Sequence, residues 1–254
     1  MNRVLALAAS TFQEAIRHRI LYLLLFFAVG MIAASRLLSM LTVGEDDKII
    51  KDVGMSAINV FGVLIALFVG VGLIFREMEK RTVLVTLSGP VARWEYLLGK
   101  YFGLAGAITL NAALMALMLF GILLYRGAFS GSLVTAVFML WVELMFITSV
   151  AVFFSTLSTP IFSALFTAGA YIVGHMTWSL PMLEAKVPEG FWRDVVHGLY
   201  LLLPDLEYGD VRALAVHGVE IPFDRVLWGT VYGLSYAGLL LLAACLIFRR
   251  RDLV

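Results

Sequence analysis

The chain has 254 residues, of which 61% are apolar and 15% charged, and its net charge is +1. A soluble domain is about 45–50% apolar and about 25% charged, so this composition describes a single integral membrane domain over residues 1–254. Segregated charge excludes a basic patch for nucleic acid. The single cysteine, Cys245, excludes intrachain disulfides, cysteine zinc sites and iron–sulfur clusters.

Residues 1–19 place Val4, Ala8, Phe12, Ala15 and Ile16 near one helical face, with Arg3, Gln13 and Arg17 elsewhere. That pattern predicts a helix lying in the membrane interface. The following apolar run is too long for a cleaved signal sequence. Six segments reach the roughly 20 apolar residues that a span requires. They are Ile20–Leu41, Met55–Phe75, Tyr101–Tyr125, Leu133–Phe154, Pro160–Met182 and Val226–Phe248. The predicted fold class is therefore an all-α integral membrane protein with six transmembrane helices.

Charge sets the topology. The side holding the N-terminus, 76–100, 155–159 and the C-terminus carries eleven basic residues against five acids. The side holding 42–54, 126–132 and 183–225 carries seven against twelve. The excess of positive charge marks the first side as cytoplasmic, with both termini there.

Two connectors exceed what a turn needs. Residues 76–100, REMEKRTVLVTLSGPVARWEYLLGK, read as helix, turn, helix broken at Gly89-Pro90. A charged, structured loop of this length on the cytoplasmic side suits docking by a soluble partner. The outer loop 183–225 holds an aromatic, apolar stretch from Phe191 to Leu203, ended by Pro204. It is too short to span, and predicts either a helix packed on the outer ends of the spans or a lid over a path between them.

Polar residues inside the spans are few. Glu143, near the middle of the fourth span, costs about 2.5–3.5 kcal/mol on insertion scales if it faces lipid, so it must face protein or water. It is a candidate substrate or proton site, or else an interhelical contact. His175 reads as a structural histidine or a second path residue. Asn59, Asn111 and Thr109 fit interhelical hydrogen bonding, and Asn59 is also placed on the candidate path. The methionines are scattered, as packing residues are. The chain carries no P-loop, GxSxG, HExxH or CxxC motif, and an enzyme is not expected.

The pattern Glu77, Glu79, Lys80, Arg81, Thr82, then Val83–Leu87, Pro90, Arg93, Glu95 and Leu98-Gly99-Lys100 resembles the signature region of ABC-2-type permeases, the membrane subunits of type V ABC exporters. The plan of interfacial helix, six spans, loop between the second and third, and large outer loop before the sixth resembles that family throughout. TFQEAIRHRILYLL and LLPDLEYGDVR are similar to the NosY-like branch grouped with multicopper-enzyme maturation. Arg81 stands where many members have glycine. The resemblance implies a cytoplasmic coupling helix that docks a separate ABC ATPase through Glu77, Arg81, Thr82, Leu84, Leu87, Ser88, Pro90 and Arg93. It implies no cofactor on this chain, with ATP and magnesium bound by the ATPase. The further partners are a second permease copy or paralogue, membrane lipids and an extracytoplasmic accessory protein, in the inner membrane. The path would run by Glu143, Asn59 and His175. Two other classes remain open: an ATP-independent carrier or channel with Glu143 as its proton site, and a membrane scaffold of an assembly complex.

Overall fold

The structure is a computed structural model and describes residues 2–39, 46–72, 75, 91–184 and 190–250. Every regular element among them is helical. In chain order these are α1 (Asn2–Ile16), α2 (Arg19–Ser39), α3 (Asp46–Ile65), α4 (Arg93–Tyr125), α5 (Gly131–Leu157), α6 (Pro160–Met176), α7 (Leu180–Glu184), α8 (Phe191–Leu202), α9 (Arg212–Val216) and α10 (Phe223–Arg250). Helix α3 runs on into a π-helical turn, Ala66–Gly70.

Helices α3, α4 and α5 form the centre. α2 lies on α3, α1 on α4, and α6 and α10 on α5. Lipid tails are as apolar as leucine, so burial of apolar surface does not drive this assembly; close packing and hydrogen bonds do. Small residues supply the close packing. A Cβ added at Gly103 of α4 would lie 2.5 Å from the Thr11 Cβ and 2.6 Å from the Ala8 carbonyl oxygen, and one at Gly99 would lie 2.5 Å from the Leu7 Cβ. The Gly99–Gly103 seam thus brings α1 against the first turns of α4. The expected face of Val4, Ala8 and Phe12 is the packed one, joined by Leu7 and Thr11. The axes of α1 and α2 meet at 63°.

Hydroxyls inside α5 turn back on their own helix: Thr148 donates to the Leu144 carbonyl, Ser149 to Phe146 and Ser155 to Ala151, each at 2.6 Å. No donor is then left bare where water is absent. Pro160 at the first position starts α6, where a missing N–H costs nothing.

Among the described residues four helices are long and apolar enough to cross a membrane: Asp46–Gly70, Arg93–Tyr125, Gly131–Leu157 and Phe223–Arg250. The bent α1–α2 pair makes a fifth if it counts as one span. The expected boundaries shift in three places. The second apolar helix begins at Asp46, nine residues before the expected Met55, and takes in part of the expected outer loop. The third begins at Arg93, so 93–100 belongs to the long helix rather than to a connector. The expected span Pro160–Met182 is a 17-residue helix that breaks at Thr177–Ser179 into a 3-10 turn. The break has a local cause and a tertiary one. Pro181 has no N–H to donate to the Thr177 carbonyl. Leu206 N–H donates to the Gly174 carbonyl, and the Thr177 hydroxyl reaches both the Val173 and Pro204 carbonyls. Leu206 thus takes the Gly174 carbonyl that the Trp178 N–H would use in a continuing helix, and Pro204 accepts from the Thr177 hydroxyl.

Candidate functional site

Three helices contribute to one polar cluster at the level of Glu143, which lies 12 residues, or about 18 Å, along α5 from Gly131. Asn59 of α3 donates through Nδ2 to both carboxylate oxygens of Glu143, at 3.1 Å each. Tyr171 of α6 donates its hydroxyl to Asn59 Oδ1 at 2.7 Å. His175, one turn beyond Tyr171, places Nε2 3.4 Å from Glu143 Oε1, and its Nδ1 lies 3.1 Å from the Tyr171 carbonyl oxygen. The Nε2 contact is close enough for an ion pair but lacks hydrogen-bond alignment, and Nε2 is buried without another partner. Glu143, Asn59 and His175, picked separately from the sequence, thus stand together.

Segment 204–216 closes over the cluster. Asp205 Oδ1 accepts from the backbone N–H groups of Glu207 and Tyr208, which folds 205–209 into a tight turn. Asp210 then caps α9: its carboxylate accepts from the Arg212 backbone N–H at 2.8 Å and from the Arg212 guanidinium. Burial works against the charge on Asp210, yet the hydrogen bonds and charge of Arg212 outweigh it and hold the carboxyl below its ordinary pKa. Burial likewise opposes the Arg212 charge, and Asp210 again reverses the balance upward. Ala215 and Val216 of α9 are buried against α3 and α5.

Between this segment, α5 and α10 lies a narrow cleft of about 30 Å³. Glu143, Phe146, Asp205, Tyr232 and Tyr236 line it. The Tyr232 and Tyr236 rings stand 4.8 Å apart, and the Tyr232 hydroxyl accepts from the Asp205 N–H at 2.9 Å. On α10, Gly229 and Gly233 permit the approach of α5, since a Cβ there would lie 2.6 Å from Met139 Cε and 2.8 Å from Val142 Cγ1.

Glu77, Arg81, Thr82, Leu84, Leu87, Ser88 and Pro90 lie outside the described residues. Arg93, directly after them, opens α4. Its guanidinium donates to the carbonyl oxygens of Phe248 and Arg249 at the end of α10. The Glu95 carboxylate accepts from the Ala92 N–H at 2.8 Å and closes the helix start.

Thr109 does join two helices, accepting from Trp141 Nε1 at 2.8 Å. Asn111 does not: it donates to the Ala107 carbonyl of its own helix, and its Oδ1 is buried without a partner. Among the described residues no polar group of a neighbouring helix reaches it. Tyr171, Asp205, Asp210, Arg212, Tyr232, Tyr236 and Phe146 belong to the site and were missed from the sequence. Tyr171 carried a signal, since it precedes His175 by four residues and shares its helical face.

The model for the ABC-2 family of transporter proteins matches residues 5–204, well over half of the chain. No curated protein matches it. With its apolar helices and this match, the chain belongs to the ABC-2 transporter family and is a multi-pass integral membrane component of a transport system, not an enzyme in its own right.

Proposed function

We propose that the chain is the permease subunit of an ATP-binding-cassette exporter, of the NosY-like branch, in the inner membrane with both termini cytoplasmic. The observation that carries this reading is the family match over residues 5–204. The six-span plan is completed by α2, with α1 bent 63° from it in the interface, and by α6 with α7. A separate cytoplasmic ATPase, holding ATP and magnesium, docks on 76–92 around Thr82–Ser88. Closure of the ATPase dimer moves these segments and shifts paired permeases between inward-open and outward-open packings. Nucleotide binding does this only by favouring one packing over the other. The path passes Glu143, Asn59 and His175.

Arg93 supports a mechanical role for the segment before it. It joins the end of the docking segment to the end of α10, which lines the cleft. The test is capture of the tagged chain from its native membrane in nanodiscs, followed by an ATPase assay. A stoichiometric P-loop subunit, lost on Glu77→Arg or Arg81→Glu, is the expected result. A clean preparation without ATPase activity rejects the reading.

The Glu143–His175 contact favours one second reading, an ion-driven carrier. That reading requires cargo flux driven by a proton gradient alone in proteoliposomes of the purified chain.

A further inference from the structure

We infer that the adjoining ends of α3 and α4 hold an anionic phospholipid, its phosphodiester head in a polar cavity beside Lys51 and an acyl chain in the apolar groove next to it. The inference needs α3 and α4 to cross the membrane; it does not need the permease reading.

Lys51 is the residue without a partner. It stands in the second turn of α3 and is only 9% exposed. A buried ammonium needs an acceptor or an opposite charge. Asp47, one turn before it on the same helix face, has the favoured acid-then-base spacing. Asp47 is taken by another group: Arg126 Nε donates to it at 2.7 Å, and Arg126 Nη2 lies 3.4 Å from Asp46. Among the described residues no acceptor reaches Lys51. It lines a cavity of about 470 Å³, together with Asp46, Asp47, Lys48, Arg126 and His217. Two helix ends build the far wall. α4 and α9 each close on a glycine in the left-handed region, Gly127 and Gly218, both at φ 70°. These turns hold Arg126 and His217 beside the first residues of α3.

Charge selects the ligand. The lining carries three basic side chains, Lys48, Lys51 and Arg126, against Asp46 and Asp47, and His217 can only add to the excess. One positive charge is left to balance, and one phosphodiester balances it. A zwitterionic head brings its own cation and leaves the excess in place. A water occupies roughly 10–15 Å³ of such space, so the cavity admits a head group with its solvent.

Position and continuity make that ligand a lipid. α4 has 33 residues, about 50 Å, and outruns the roughly 30 Å hydrocarbon core. Charged residues at its end belong in the head-group layer, where lipid phosphates lie. Arg126 also lines a second cavity, of about 400 Å³, along the last two turns of α4 with Met118, Gly121, Ile122 and Tyr125. Gly121 keeps this groove open, since a Cβ there would meet nothing within 4 Å. Tyr125, in the same lining, is 82% exposed, as amphipathic rings at a membrane surface are. Polar cavity and apolar groove thus meet at one arginine, whose methylene stem suits the groove and whose guanidinium suits the cavity. A phosphate diester with an acyl tail has the same two-part form.

The experiment is native mass spectrometry of the full chain in neutral detergent micelles, titrated with dioleoylphosphatidylglycerol, dioleoylphosphatidylcholine or the deacylated head group, glycerophosphoglycerol. One firmly held phosphatidylglycerol per chain is expected, with about tenfold weaker binding of the other two. Lys51→Gln should weaken phosphatidylglycerol about tenfold and leave phosphatidylcholine unchanged. Gly121→Leu, which fills the groove, should weaken both lipids and leave the free head group unchanged. In lipid-free micelles Lys51→Gln should melt no lower than the parent, because it removes an unpaired buried charge; a lysine with a merely structural role would lower the melting temperature. Equal binding of the two lipids, or unaltered phosphatidylglycerol binding by Lys51→Gln, overturns the site. A free head group that binds as tightly as the intact lipid overturns the lipid as occupant. Should Lys51→Gln fail to fold, Gly121→Leu and the head-group comparison decide.

Discussion

Arg93, the first residue of α4, donates to the backbone carbonyl of Phe248, 155 positions along the chain, at 3.2 Å, and to that of Arg249 at 2.9 Å. The last carbonyls of a helix lack intrahelical partners and carry partial negative charge, so a guanidinium there satisfies and neutralises them together. One turn into α4, Tyr96 stacks on the Phe248 ring at 5.9 Å between centroids. Arg93→Ala should lower stability by about 1–2 kcal/mol, and Arg93→Lys by less. Denaturant titration of the chain in mixed micelles reads both. An unchanged Arg93→Ala midpoint would show that the link carries no energy.

The α1–α4 seam makes a sharper prediction. At Gly103 an added Cβ meets a backbone oxygen, which cannot swing aside as a side chain can. Gly103→Ala should cost about 1–3 kcal/mol by overpacking. Gly121, further along the same helix, has open space where its Cβ would go, and Gly121→Ala should be neutral or slightly stabilising. Equal effects at the two positions would refute close packing of α1 as the reason for the glycines.

Acid should loosen segment 204–216. Asp210 is held below its ordinary value by Arg212 in the folded chain, so its contribution is present above the unfolded value of about 4 and is lost as pH falls through the folded one. Melting temperature should therefore drop below about pH 4. Asp210→Asn should melt lower at neutral pH and show a shallower drop over that acid window. Parallel curves for the two proteins would remove Asp210 from the account.

The three-helix contact should behave as a unit. Interhelical hydrogen bonds in membranes average about 0.6 kcal/mol and reach about 1.7. Tyr171→Phe should cost within that range. Asn59→Ala, which strips Glu143 and Tyr171 of a partner together, should cost about 1–3 kcal/mol. The double variant should cost less than the sum, because Asn59→Ala already removes what Tyr171 bonds to. Strict additivity would separate the two bonds.

Length and hydropathy alone made α3, α4, α5 and α10 legible, because a lipid-embedded helix must be apolar over about 20 residues whatever it packs against. The end of α6 was only partly legible. Pro181 announces a break, since it has no N–H to donate to the Thr177 carbonyl four residues earlier. The rest is set some thirty residues later, where the Leu206 N–H takes the Gly174 carbonyl and the Pro204 carbonyl takes the Thr177 hydroxyl. Glu143 stood out as a lone acid in an apolar run, and His175 and Asn59 as polar exceptions. Their meeting depends on how far α3, α5 and α6 rotate about their own axes, which no local pattern encodes. The turn chemistry of Asp205 and Asp210 was readable in LLPDLEYGDVR, but its burial beside Glu143 was not.

Tyr171, Asn59 and Glu143 tie α6, α3 and α5 at one height. Turning any one of these helices about its axis by even a third of a revolution would carry its polar group out of reach and leave the others bare. The three are keyed like the pins of a lock and move as a block. The contact of α5 with Gly229 and Gly233 of α10 is smooth by comparison, glycine against the flexible Met139 and the branched Val142. A bundle made this way has a stiff half and a bearing surface, and the cleft lies along the bearing.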